Sequence, residues 1–509
     1  MPNSIRAVFA VLLLTILMSL SITITSADVL EQPTYAGTLE TYLRNQMDVY
    51  HIPGIAVAIV RDSEIDYLGG VGIANEDGAP VTPQTPFLLA SVSKAMTAVA
   101  ILQLAEDGRI QLEDSVQTYL PDFSPAGQAG EEITVADLLY HTSGFSELGG
   151  LEANLRADSP DALAALVDGL TRADLQFAPG SSWEYSNLNY SVLGRIIEVV
   201  SGQSYEDYIA SHIFVPLGME NSFASMDAAR AAGASSGYYP FFGQPIVFDE
   251  QMPYTRATVP AAGLWTSAED MSRYLLALLD AGQAGDARLL SQDSLQRLFG
   301  PGYSFDETQG YAMGWTVNRG FMLQEDVDRA GAIIPESESL TVVFHEGDWV
   351  NYKSVAFLIP ELEYGIALLM NSNDPMATSA LRFFAWDVTL IAMGGQPEYF
   401  PPAESFLLRN ARVALAVTAV LLATALIWLW RIGRIHGAAR GLATATLAAA
   451  VLLNAYIFLK FLPDNNASLP LALRFAPDTG LLIALIVLLS LFLVAVSVRV
   501  LVEGRPISR

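Results

Sequence analysis

The C-terminal part of the chain holds three apolar runs, about Val413 to Trp430, Leu442 to Leu462 and Leu481 to Val502, each of a length that crosses a bilayer as a helix. Segments this apolar must be covered by lipid or protein, so they divide the 509-residue chain into a membrane-inserted tail and a water-facing remainder. No ionisable residue lies near the middle of a run, so anchoring or helix assembly is expected rather than transport or ion conduction. Charge follows the same division. Residues 28–400 carry 50 acidic and 16 basic side chains, whereas residues 401–509 carry 4 acidic and 10 basic ones. A large domain this acidic excludes nucleic acid as its partner, and a basic tail fits a membrane.

The N-terminal segment, Met1 to Ala27, has one basic residue, Arg6, then an apolar run to about Ile24 and the small residues Thr25, Ser26 and Ala27. That is the layout of a secretory signal peptide, with cleavage expected after Ala27. A proline-rich stretch from Gln396 to Pro402 opens a linker to residue 412, which gives a domain over 28–395, a linker over 396–412, three spans over 413–502 and a tail over 503–509. Arg431, Arg434 and Arg440 follow the first run, and Arg499, Arg505 and Arg509 end or follow the third. With an exported amino end, these clusters fall in the cytoplasm, which predicts a multi-pass protein of the cell membrane with its large domain on the extracytoplasmic side.

The chain has no cysteine, which excludes thiol catalysis, disulfides and cysteine metal sites. Its five histidines lack H-x-x-x-H or H-E-x-x-H spacing, and no Walker-type or G-x-G-x-x-G loop is present. No metal or other cofactor is therefore expected.

Chemistry concentrates first in Ser91-Val-Ser-Lys94. From Ser91 to Leu104 apolar residues recur at helical spacing, which puts Ser91 in the first turn of a buried helix and Lys94 on the same face. A serine hydroxyl needs a neighbouring base, and a lysine whose pKa is lowered by burial can serve. The chain has only three lysines, and one of them stands in this apolar helix. A second cluster, Tyr185-Ser-Asn187, follows the Pro179-Gly180 turn and precedes another apolar helix. A third, His345-Glu-Gly347-Asp348, ends a β-rich run. Elsewhere the pattern predicts a helix over Tyr35–Tyr50 and a hairpin from Gly54–Val60 and Ile65–Gly72. Further strands are expected around 340–370, with a closing helix over Met376–Met393.

In this order and at these separations, the three clusters resemble the serine β-lactamase and penicillin-binding-protein superfamily. The branch they resemble is that of class C β-lactamases, D-alanyl-D-alanine carboxypeptidases, D-aminopeptidases and related esterases. Leu138-Leu-Tyr-His-Thr-Ser-Gly144, Pro216-Leu-Gly-Met219 and Ala262-Gly-Leu-Trp-Thr-Ser-Ala-Glu-Asp-Met271 extend the resemblance over residues 35–395. It implies an α/β (α+β) fold: an antiparallel sheet flanked by helices beside a helical subdomain, with the site in the cleft between them. It also implies that Ser91 is the nucleophile of an acyl-enzyme, that Lys94 holds the proton network, and that Tyr185 acts as general base, its pKa pulled down by the Lys94 cation, and then as acid toward the leaving group. Asn187 would bind the substrate amide, His345, Gly347 and Asp348 would also meet the substrate, and the backbone N–H groups of Ser91 and Asp348 would form the oxyanion hole.

The third cluster departs from the Lys-Thr-Gly of β-lactamases. His345 stands where the family has lysine, and Asp348 adds a carboxylate after Gly347, so anionic substrates should be repelled. The expected activity is that of an exported, membrane-anchored serine hydrolase acting on esters, amides or D-amino acid peptides of small-molecule or cell-envelope origin, and poorly on β-lactams. The competing expectation is a non-catalytic binding or sensory ectodomain of the same fold.

Overall fold

The computed structural model describes residues 35–123, 133–170, 175–284, 287–320, 324–334, 340–374, 381, 383–397, 411–432, 438–462 and 468–503. The expected signal segment, most of the 396–412 linker and residues 376–380 of the expected closing helix lie outside them.

Strand β1 (Gly54–Arg61) is apolar at nearly every position, as a strand buried on both faces must be. Its side chains alternate: Ala56, Ala58 and Val60 join one core, and Ile55, Val57 and Ile59 join the other. β2 (Glu64–Gly72) completes the expected hairpin, with a register shift between Ile59 and Val60. The remaining strands of the sheet are β3 (Tyr303–Ser304), β4 (Gln309–Tyr311), β5 (Thr316–Arg319), β6 (Thr341–Asp348), β7 (Lys353–Ile359) and β8 (Tyr364–Met370). All pair antiparallel in the order β2-β1-β8-β7-β6-β5-β4-β3.

Helix α1 (Ala36–Tyr50) and helix α5 (Phe383–Ala392) cover one face of the sheet, tied together by a hydrogen bond from the Tyr42 hydroxyl to Asp387 (2.7 Å). The larger core lies on the other face, where the helical part of the domain stands. There α2 (Ser93–Glu106) is buried on nearly every side, packed against α3 (Asn187–Ser201) and the turn Val259–Ala262, while α4 (Ala268–Leu279) lies on β1 and β8. A helix apolar all round belongs in the interior, and this one carries Lys94 there with it.

The tail forms α6 (Ala411–Ile432), α7 (Ala438–Tyr456) with a wider turn over Ile457–Phe461, the short α8 (Leu469–Phe475) and α9 (Pro477–Glu503). Among the described residues, two stretches, Ala443–Phe461 and Pro477–Arg499, are long and apolar enough to cross a membrane, where the sequence predicted three. The first expected run falls on α6, a 22-residue helix whose apolar stretch among the described side chains is Leu415–Ala425.

Candidate active site

Ser91 sits in a single 3₁₀ turn, Ala90–Val92, which runs into α2. Ala90, directly before it, has φ +46°, a left-handed conformation that costs a residue with a side chain on the order of 1–3 kcal/mol and that clusters at functional turns. The turn is clamped from both sides: the Leu89 N–H donates to the Leu264 carbonyl (2.8 Å), and the Ser354 hydroxyl of β7 donates to the Leu89 carbonyl (2.5 Å). One helical turn on, Lys94 Nζ reaches back to Ser91 Oγ at 3.1 Å. Its other acceptors are Asn187 Oδ1 (2.7 Å) and the Ala261 carbonyl (2.8 Å), all three uncharged. Lys94 is fully buried, and desolvation lowers its pKa well below the usual lysine value.

Asn187 is the first residue of α3, after Ser186, whose hydroxyl caps the helix by accepting from Leu188 N–H. The fold thus delivers the Asn187 amide and the Tyr185 ring to the same lysine, with Lys94 Nζ 4.8 Å from the Tyr185 ring centre. The Tyr185 hydroxyl is buried and completes no hydrogen bond of good geometry. Burial drives its pKa upward, and Asp348 and Glu147 add to this, outweighing the nearby Ser91 hydroxyl. This direction is opposite to the one expected from the Lys94 cation alone.

Sequence reasoning singled out His345 but missed the chain it belongs to. The Ser186 N–H (3.2 Å) and the Asn189 amide (2.8 Å) donate to His141 Nδ1, which leaves the proton on Nε2 to be donated to the Tyr311 hydroxyl (3.2 Å). Tyr311 then donates to His345 Nε2 (3.3 Å), and His345 Nδ1 donates to the Glu346 carbonyl (2.7 Å). Burial holds both imidazoles neutral, with His345 pushed down to about 3 and His141 also lowered well below the usual value. His141 stands in the L-L-Y-H-T-S-G stretch and Tyr311 in Y-A-M-G-W, so both were visible as residues, but only the fold joins them.

Asp348 also differs from expectation. Its partner across the β6–β7 register is Lys353, the second buried lysine, whose Nζ meets Asp348 Oδ1 at 2.8 Å and Glu346 Oε2 at 2.6 Å. Lys353 is thus shared between two carboxylates and supplies one positive charge to the pair. Gly347 lies against the nucleophile turn. A Cβ there would lie 2.1 Å from the Leu89 carbonyl and 2.2 Å from Ser354 Oγ, so glycine is what lets β6 lie against the nucleophile turn.

Ser91, Tyr185, Asn187, His345 and Asp348 all line one cavity of about 710 Å³. The arrangement of these groups decides what comparison with known proteins finds. A family model described as Beta-lactamase matches residues 39–390. The chain belongs to the Beta-lactamase family. Protein flp of Staphylococcus aureus (strain MW2) is 30% identical over 344 residues, covering 66% of this chain and 63% of its own length. The match therefore spans less than two thirds of that relative. A putative penicillin-binding protein, PbpX, of Bacillus subtilis (strain 168) is 35% identical over 287 residues, covering 55% of this chain and 68% of its own. The octameric penicillin-binding protein homologue from Pyrococcus abyssi superposes with a TM-score of 0.57 at 28% identity, covering 72% of this chain and 79% of that one. The expected superfamily, with its antiparallel sheet and flanking helices, is thereby established. Within this Beta-lactamase family framework, the histidine-for-lysine change in the third cluster leaves His345 as the end of an uncharged hydrogen-bonded chain.

Proposed function

We propose that this chain is a serine hydrolase working through an acyl-enzyme on Ser91, held at a membrane by its tail, with the catalytic domain on the extracytoplasmic side. The observation that carries the reading is the 3.1 Å contact between Ser91 Oγ and a buried Lys94 whose partners are all neutral. An amine with no carboxylate beside it in a dry site is unprotonated and can take the serine proton. In acylation, the Ser91 proton passes to Lys94 Nζ, the Oγ–carbon bond forms, and the oxyanion is held by the backbone N–H groups of Ser91 and Asp348. The bond to the leaving group then breaks, and that group takes a proton from the Tyr185 hydroxyl, which Lys94 restores. Water repeats the sequence in reverse on the acyl-enzyme and releases the acid. The protonated, buried hydroxyl of Tyr185 suits it to the acid half of this cycle.

Substrates are esters, amides or D-amino acid peptides without a negative charge near the reacting carbonyl. Glu147, Glu346 and Asp348 line the cavity, and Lys353 supplies one compensating charge, so β-lactams, which are anionic, are turned over slowly.

Intact-mass measurement on the full chain in detergent, with a panel of activated esters and one penicillin, tests the reading. We expect a mass gain equal to the acyl group in the parent and none in Ser91→Ala. Absence of any adduct and any turnover in the parent would overturn it in favour of a binding ectodomain.

A further inference from the structure

The cavity that holds Ser91 is not closed by the hydrolase domain alone. One wall is built by the tail: Phe461 and Leu462 from the end of the first membrane-length stretch, Leu471 and Phe475 from α8, and Ile483 from the second stretch. Apart from Thr479 the tail side chains that line it are apolar, and Tyr185, Asn187 and His345 line the same space.

This wall is held in place by a polar cluster that only the folded arrangement of tail and domain can satisfy. Arg412 pairs with Asp374 (2.9 Å) and with the buried Asp478 at the start of α9 (2.7 Å). Asp478 in turn accepts from the Tyr239 hydroxyl (2.6 Å) and the Phe242 N–H (2.9 Å) of the domain. Trp349, next to Asp348, packs edge-on against Phe475 at 5.7 Å. Around the same level the tail exposes apolar side chains outward, among them Leu459, Leu473 and Leu481, as a surface in contact with lipid does. The active site therefore stands where the two stretches emerge from the bilayer, with its apolar wall continuous with them.

We infer that the substrate is a membrane-resident amphiphile carrying a hydrocarbon chain within a few bonds of the ester or amide carbonyl that Ser91 attacks. The chain lies along Phe461, Leu462, Leu471, Phe475 and Ile483 towards the lipid, and the polar end meets Asn187 and His345. This rests on the hydrolase reading above. It adds the substrate class, which that reading leaves open.

The test uses the full chain in nanodiscs of zwitterionic lipid and two ester pairs. One pair lengthens the acyl side, p-nitrophenyl acetate against octanoate. The other lengthens the leaving group, methyl against octyl thioacetate, whose released thiol can be titrated because the protein has no cysteine. Burial of a methylene contributes at most about fourfold in kcat/KM, so a gain on the order of 100-fold is expected for the longer member of one pair. That gain should collapse to below about tenfold in Phe475→Ser and return in Phe475→Leu. A flat or falling profile in both pairs, with a robust Ser91 adduct from the short esters, would overturn the amphiphile and leave the hydrolase standing. No adduct from any ester would overturn both.

Discussion

Two lysines are buried in this domain to the same extent, and they meet opposite fates. Lys94 and Lys353 are both fully removed from solvent. Around Lys94 the acceptors are a hydroxyl, an amide and a carbonyl, and desolvation lowers its pKa. Around Lys353 the acceptors are the carboxylates of Glu346 and Asp348, and although burial works against the charged form, their combined attraction raises its pKa. What separates a reactive amine from a structural cation is the charge of the partners, since burial is shared. The two lie at opposite ends of one contact: Lys94 begins the helix behind the nucleophile turn, and Lys353 begins the strand whose neighbour, Ser354, clamps that turn.

The comparison breaks most sharply at Lys94. In Lys94→Met the apolar stem is kept and the base is lost, so kcat/KM toward the best activated ester should fall on the order of 10³-fold. Asn187 Oδ1 and the Ala261 carbonyl lose their donor, so stability should fall by on the order of 1–3 kcal/mol. A fall in kcat/KM of less than tenfold, measured on protein that still melts cooperatively, would assign the base elsewhere. For Lys353→Met the balance inverts. Glu346 and Asp348 lose their cation, and breaking such a pair costs on the order of 3 kcal/mol, read as a lower denaturation midpoint in urea at neutral pH. An unchanged midpoint would show that the carboxylates are already solvated and that the contrast between the lysines is one of geometry alone.

How much of this was legible before the fold was known follows the range of each interaction. Ser91 and Lys94 were readable because three residues of helix join them, and the β1–β2 hairpin because its turn is local. Asn187 was placed on a loop just before an apolar helix and given its role by the resemblance, whereas the fold makes it the first residue of α3. Lys353 was missed as the partner of Asp348, since five residues apart means nothing until the β6–β7 register sets them opposite. The His141–Tyr311–His345 chain crosses 170 and 34 residues of sequence, and no spacing signals it. Tyr185 was given the wrong direction of pKa shift because attraction to a neighbouring cation was weighed without the burial that outweighs it. Gly347 stood in the third cluster, but the backbone it lies against, Leu89, is more than two hundred residues away in sequence. The tail was legible as apolar, but apolarity does not report that its ends wall the catalytic cavity.

The dryness that neutralises Lys94 should also be measurable through His345, at smaller cost. Its pKa is about 3 in the fold, against an ordinary value of 6.5, with burial the first cause and Lys94 the second. Between these values the unfolded chain binds more protons than the folded one, so stability rises with pH across the window and is lost as pH falls from about 6.5 towards 3. His345→Gln retains a side-chain acceptor for the Tyr311 hydroxyl and removes the titration. Carboxylates contribute to acid unfolding in both proteins, so the quantity to compare is the difference between parent and variant in urea unfolding at pH 7 and pH 5. The parent should lose more stability over that interval by on the order of 1–2 kcal/mol, and its ester hydrolysis should fall with acid as Lys94 becomes protonated while the Gln variant keeps the same acid limb. Equal losses of stability would mean that water reaches His345 in the folded protein, and the argument for a neutral Lys94 beside it would lose its physical basis.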